Sequence, residues 1–265
     1  MKKVLSLVLA LSLLFVLACG LTGCGKKDNK LTMATNASFP PYEFVEGDKI
    51  VGIDAEIAAE IAKKLDMELE IVDTEFGSII GGVQTGKYDI GMAGMTVTED
   101  RLKNVNFSTS YAKGVQVVIV PENSEYTSFE DFYTGFDADG NPTGVKEGIK
   151  IGVQQDTTGD IYSSDDPAKW GFGADNVTQY KTGNDAVAAL VAGKVTCVII
   201  DNEPAKSYVA ANEGLKILDG SYADEDYAIC VAKDNEELLQ KVNDALAELQ
   251  ADGTIQKIVS KYIPS

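Results

Sequence analysis

Apolar and polar positions along the chain alternate between two periods. In "IDAEIAAEIAKKL" (53–65), Ile57, Ala58, Ile61, Ala62 and Leu65 recur at helical spacing, which predicts an amphipathic helix behind a possible Asp54 cap. "KLTMAT" (30–35) and "ELEIVDT" read as strands. "SFPPYEF" between them reads as a loop, because two prolines forbid helix there. "VQVVIV" is a strand ending at Pro121, "IKIGVQ" another beginning at 149, and "EDYAICVAK" a strand near the end. The chain finishes with "NEELLQKVNDALAELQADGTIQKIVSKYI", a helix closed at Gly253 and followed by a second, shorter one.

One pattern occurs twice. "SIIGGVQTGKYDIGMAG" (78–94) and "AVAALVAGKVTCVIID" (186–201) are each a short apolar helix, a Gly-Lys turn and a buried strand, with glycine closing the helix and lysine at its negative end. Two copies about a hundred residues apart predict two similar α/β lobes. The turn-rich "GFDADGNPTG" carries Asp137, Asp139 and Asn141 at the spacing that begins a calcium loop. The distal glutamate of such a loop is missing, so the stretch reads as a surface turn or hairpin.

The N-terminus departs from this grammar. Lys2 and Lys3 precede an apolar run from Val4 to Leu17, too short for a comfortable membrane span, and Leu21-Thr22-Gly23-Cys24 ends it with small residues before a cysteine. The tetrapeptide resembles the bacterial lipobox. Residues 1–23 are thus expected to be a lipoprotein signal peptide, Cys24 the lipidated mature N-terminus, and 24–30 a polar tether; cleavage near Cys19, or an ordinary soluble secretory signal, is the competing reading. Either way the protein is expected to work outside the cytoplasm.

Without residues 1–23 the chain carries 21 basic against 41 acidic residues, which makes nucleic acid an unsuitable partner. Histidine is absent, and with it the commonest general base and metal ligand. No cofactor and no metal site are expected. Cys197 and Cys230 each sit in an apolar run and read as buried thiols in preference to a disulfide.

Six stretches in order, "ATNASFPPYEF", "VGIDAEIAAEIAKKL", "GKYDIGMAGMTVTEDR", "NFSTSYAKGVQVVIV", "IGVQQDTTGD" and "VNDALAELQADGTIQKI", carry a resemblance to the family 3 extracellular solute-binding proteins, the polar amino-acid receptors of ABC importers. The resemblance implies a type II periplasmic-binding-protein-like α/β fold, with two lobes joined by a two-segment hinge and a ligand cleft between them. It places the first lobe at 31–112 and 227–265 and the second at 113–226, with crossings near Tyr111 to Val115 and Asp226 to Ala228. A monomer that binds an L-amino acid and presents it to membrane permease subunits is the expectation.

The same resemblance assigns roles to residues. Arg101 matches the arginine that grips the ligand carboxylate, and its planar fork suits that task where a lysine would not. Taken alone, Arg101 reads as a surface residue paired with Glu99 or Asp100 sooner than as a site residue. Thr96 and Thr158 are implied to meet the same carboxylate; Asp201, Gly94 and again Thr96 the ligand ammonium. Asp156 stands where the family commonly has glycine, and Asp201 alternatively reads as a helix cap. Phe39, Phe76, Asn36, Gln154 and Gln155 are implied to surround the ligand side chain. Asn36 lies where several basic-amino-acid binders carry an acid, which tilts the expectation toward a neutral polar ligand such as glutamine. Glu43, Glu75 or Asp156 would rescue a cationic ligand, and cystine is a further alternative. Two other classes compete: a cleft enzyme of the cyclohexadienyl-dehydratase type, which would need a general acid, and a sensory ligand-binding module.

Overall fold

A computed structural model describes residues 29–263. The signal peptide, Cys24 and most of the tether lie outside the described residues. Among those described, no helix is long and apolar enough to cross a membrane.

Two β-sheets organise the chain. The first holds, in spatial order, Glu68–Asp73, Lys30–Thr35, Ile90–Gly91, Cys230–Ala232 and Val105–Phe107. Its Lys30–Thr35 and Ile90–Gly91 strands are parallel, and Cys230–Ala232 runs antiparallel to both neighbours. The second has Val177–Tyr180, Ile151–Gln154 and Cys197–Asp201 in parallel, followed by the long strand Ala112–Pro121, antiparallel to its neighbours. Helices Ile53–Lys64, Ile79–Gln84 and Glu236–Ala251 bury their apolar stripes against the first sheet, where Leu31, Met33, Ile57, Ile61 and Leu246 are wholly buried. A separate core of Phe132, Ile151, Phe172 and Cys197 lies in the second. Both copies of the helix-turn-strand pattern are present, as Ile79–Gln84 before Ile90–Gly91 and Gly183–Val191 before Cys197–Asp201, one in each sheet.

Chain crossing between the sheets is a strand pair. Ala112–Pro121 and Ala223–Tyr227 run antiparallel with Ala112 opposite Tyr227 and Gly114 opposite Glu225. A Cβ on Gly114 would stand 2.4 Å from the Tyr227 ring, so the missing side chain lets that ring lie across the strand.

Four local expectations change. "EDYAICVAK" is two strands, Ala223–Tyr227 and Cys230–Ala232, because the chain passes from one sheet to the other between them. The proline-bearing "SFPPYEF" is a hairpin, Ser38–Phe39 against Glu43–Glu46, with Pro40, Pro41 and Tyr42 in its turn. Asp54 is no cap: Gly52 holds that position and Asp54 is inside the first turn, completely buried. Asp201 occupies the N-cap position of Asn202–Ala211 but makes no side-chain capping bond. Asp137–Asn141 forms the expected hairpin turn, with Asp137 accepting from the Asp139 and Asn141 amides. Cys197 and Cys230 are buried free thiols, and burial raises both above the ordinary thiol range.

Candidate functional site

Parallel strands leave their last backbone groups outside the ladder, so residues at their carboxyl ends are free to face a cleft. Asn36 follows Lys30–Thr35, Gly94 and Thr96 follow Ile90–Gly91, and Gln154 and Asp201 end their strands. These ends face one another across a cavity with about 300 Å³ of atom-free space, lined by Asn36, Phe39, Glu43, Phe76, Ala93, Gly94, Thr96, Arg101, Gln154, Thr157, Thr158 and Asp201.

Arg101 enters from the short helix Glu99–Leu102, whose cap Thr98 accepts from the Arg101 amide. Neither acidic neighbour holds its guanidinium; Asp100 pairs with Lys103 instead. Arg101 Nη1 donates to the Thr96 carbonyl at 2.8 Å and Nη2 to the Asp156 carbonyl at 3.0 Å, while its Cζ stands 5.2 Å from the Phe76 ring centroid. A guanidinium carries five donors, so these two bonds fix its plane and leave donors for an anion. Thr96 and Thr158 bring their hydroxyls to 3.4 Å of each other. Thr158 opens the helix Thr158–Ser164 behind the Thr157 cap, where its amide has no intrahelical acceptor.

Asp201 is 7% exposed and held at both oxygens: Tyr227 donates its hydroxyl to Oδ1, and Gln116 Nε2 donates to Oδ2 at 2.8 Å. Burial, reinforced by the nearby Glu225 carboxylate, pushes Asp201 up to about 7. Gly94 adopts a left-handed φ of +49°, and a Cβ there would come within 2.8 Å of the Phe39 ring. Its amide is not available to a ligand, since it donates to Asp54 Oδ2 at 2.9 Å, which leaves the carbonyl.

The amides that were expected to read the ligand side chain are mostly committed to protein partners. Asn36 Nδ2 donates to the Thr74 carbonyl at 2.8 Å, and its Oδ1 accepts from Gln154 Nε2 at 2.9 Å and from the Ser38 hydroxyl at 3.0 Å. Gln154 Oε1 in turn accepts the Gly183 amide. Gln155 does not line the cavity. One position beyond the strand end, it is turned outward and exposed.

Glu43 behaves differently. It is 1% exposed, lines the cavity, and neither carboxyl oxygen receives a hydrogen bond from a donor. Burial, with the buried Asp54 carboxyl beside it, raises Glu43 well above the usual carboxylate range. Glu75 and Asp156, the other acids weighed for a cationic ligand, are exposed, and Glu75 pairs with Lys181 at 2.7 Å. Thr157, Ala93 and Glu43 complete the lining beyond the residues expected there.

Five contacts join the two sides of the cleft: Arg101 to Asp156, Thr96 to Thr158, Gln154 to Asn36, Lys181 to Glu75, and the Tyr208 hydroxyl to the Ser38 carbonyl at 2.6 Å. The cleft is therefore closed. A Cβ on Gly77 would fall 2.1 Å from Asp156 Oδ2, so this approach depends on glycine there.

A buried guanidinium with spare donors, facing a held carboxylate across a small closed cavity, is complementary to the two charges of a zwitterion. The model of the bacterial extracellular solute-binding proteins, family 3, matches residues 31–265. The chain belongs to that family. It is similar to the arginine-binding extracellular protein ArtP of Bacillus subtilis, 31% identical over 99% of this chain and 98% of that protein. Among solved structures it is similar to an ancestral arginine-binding protein bound to glutamine, with a TM-score of 0.78 and 35% identity over 89% of this chain and 99% of that one. An ancestral arginine-binding protein bound to arginine gives a TM-score of 0.77 and 36% identity over 89% of this chain and 98% of that one. The chain is thus an extracytoplasmic, two-lobed, amino-acid-binding component of an ABC transporter, and the family and these relatives are binding proteins for transport.

Proposed function

We propose that this receptor captures a cationic L-amino acid, arginine foremost, between its lobes and delivers it to the membrane permease. Arg101, with the Thr96 and Thr158 hydroxyls and the Thr158 amide, holds the α-carboxylate. Asp201, the Gly94 carbonyl and Thr96 hold the ammonium. Phe39 and Phe76 flank the side chain, where the flat face of a guanidinium stacks favourably on an aromatic ring.

One observation carries the choice of a cation over the neutral ligand that Asn36 alone suggested: Glu43 lines the cavity, buried and without a donor. A buried carboxyl left unsatisfied is costly, and a guanidinium supplies the donors it lacks. Asn36 offers no comparable vacancy, because both ends of its amide are engaged by the protein. That the similar proteins bind arginine supports the reading, and the glutamine complex of the ancestral protein sets the competitor to test.

The test is titration calorimetry of wild type and Glu43→Gln with arginine, lysine and glutamine. Wild type should prefer arginine, and the variant should lose about 10- to 100-fold for arginine, one charge-assisted hydrogen-bond pair, while keeping glutamine within a few-fold. Equal losses for both ligands would remove Glu43 from side-chain recognition. The same reading includes a Cys24 lipid anchor holding a monomer at the membrane and a second lobe of 113–226. A Cys24→Ser variant is expected to be lost from the membrane fraction.

A further inference from the structure

Glu43 and Asp54 are both buried carboxyls, and the Asp54 charge acts on Glu43. Their surroundings differ. Asp54 Oδ2 accepts from the Gly94 amide and from the Tyr111 hydroxyl, each at 2.9 Å, and both bonds favour the ionised form. Asp54 Oδ1 and both Glu43 oxygens have no donor. Asp54 is therefore the carboxylate, and Glu43, buried near that charge with no donor to support a charge of its own, keeps its proton.

The groups facing Glu43 from the other elements keep it there. Asp54 on the helix Ile53–Lys64 and Asp201 at the end of Cys197–Asp201 are both acids, and Tyr42, Tyr111 and Tyr208 are neutral phenols. Arg101, the cation in the cavity lining, is directed to the Thr96 and Asp156 carbonyls. A guanidinium arriving at Glu43 would change this balance, since it supplies a positive charge and two parallel donors that a protonated carboxyl cannot use fully.

Resting on the cationic-ligand reading above, we propose that Glu43 holds a proton in the ligand-free protein and loses it to solvent when a cationic side chain enters, so that arginine capture releases one proton more than capture of a neutral amino acid. Asp201 does not blur this difference. Its partner is the ligand ammonium, which arginine, glutamine and citrulline share, so whatever proton it releases is common to all three. Burial and the Asp54 charge both raise Glu43 above the usual carboxylate range, in keeping with the geometry.

The experiment is calorimetry of the purified protein with arginine and with its neutral isostere citrulline, in phosphate and in Tris, buffers of small and large ionisation enthalpy. The buffer dependence of the heat should report close to one more proton released for arginine than for citrulline. The arginine dissociation constant should tighten by up to tenfold more per pH unit than that of citrulline while Glu43 remains protonated. Glu43→Gln should abolish the excess and still bind citrulline, which shows that the variant is folded. Tight arginine binding with no excess proton overturns the coupling and leaves the ligand reading standing. An excess that persists in Glu43→Gln assigns the proton elsewhere and also overturns it. Citrulline bound and arginine refused overturns the ligand reading, and the coupling with it.

Discussion

Asp201 and Glu43 are two acids in the lining of one cavity, equally buried in practice and oppositely prepared. Asp201 has a donor on each oxygen, Tyr227 on one and Gln116 on the other, so its position and the direction of its charge are set before a ligand arrives. Glu43 has no such support and lies near another acid. A group that meets what every amino acid carries is best held rigid. A group that meets only one kind of side chain gains selectivity by being costly when unmet. The contrast teaches that burial alone would not distinguish the two tasks proposed for them; the count of donors would.

The largest expected effect comes from the backbone end. Arg101→Ala should weaken arginine and glutamine alike by about 100-fold or more, because a buried charge-assisted contact of ~3 kcal/mol is lost. Asp201→Asn should weaken both amino acids by about 30-fold and their deaminated analogues by much less. Equal losses for acid and analogue would remove Asp201 from the ammonium role and break the contrast with Glu43. Glu43→Gln should sharpen it, since its loss falls on arginine only.

Stability against pH gives a smaller, independent reading. Burial raises Asp54 to about 6 and Asp201 to about 7, against about 3.9 for an unfolded aspartate. Between those values the folded chain binds protons that the unfolded chain does not, so stability is greatest at the acid side of the window and falls as pH rises through it. The melting temperature of the ligand-free protein should thus decline from about pH 4 to about pH 7. Asp201→Asn should flatten the upper part of that decline, which differential scanning calorimetry would detect. The smallest effect is expected from Lys181→Ala. It breaks an exposed ion pair across the cleft mouth, and affinity should stay within about twofold.

Much of this site was legible in the chain because strand ends and motif order together place residues on one side of a fold. Arg101, Thr96, Thr158, Asp201, Gly94, Asn36, Phe39, Phe76 and Gln154 all line the cavity. Gln155 does not, since it lies one position beyond the end of Ile151–Gln154 and is exposed. Glu43 was visible as a charge but not as a position. Two prolines hid the hairpin that carries it, and ordinary patterning would place Val45 inside and Glu43 in water, the reverse of what occurs: Val45 is 56% exposed. Asp54 was misplaced for a related reason. An acid at the start of a helix usually caps it, and here it serves the Gly94 and Tyr111 donors instead. What the period of a pattern cannot convey is which polar groups satisfy one another across the fold, and the proposed ligand preference turns on that pairing.

A crystal structure of the arginine complex tests the central claim most directly. The account predicts the ligand guanidinium within about 3 Å of the Glu43 carboxyl, with the α-carboxylate on Arg101 and the ammonium on Asp201. A guanidinium lodged away from Glu43 would contradict it.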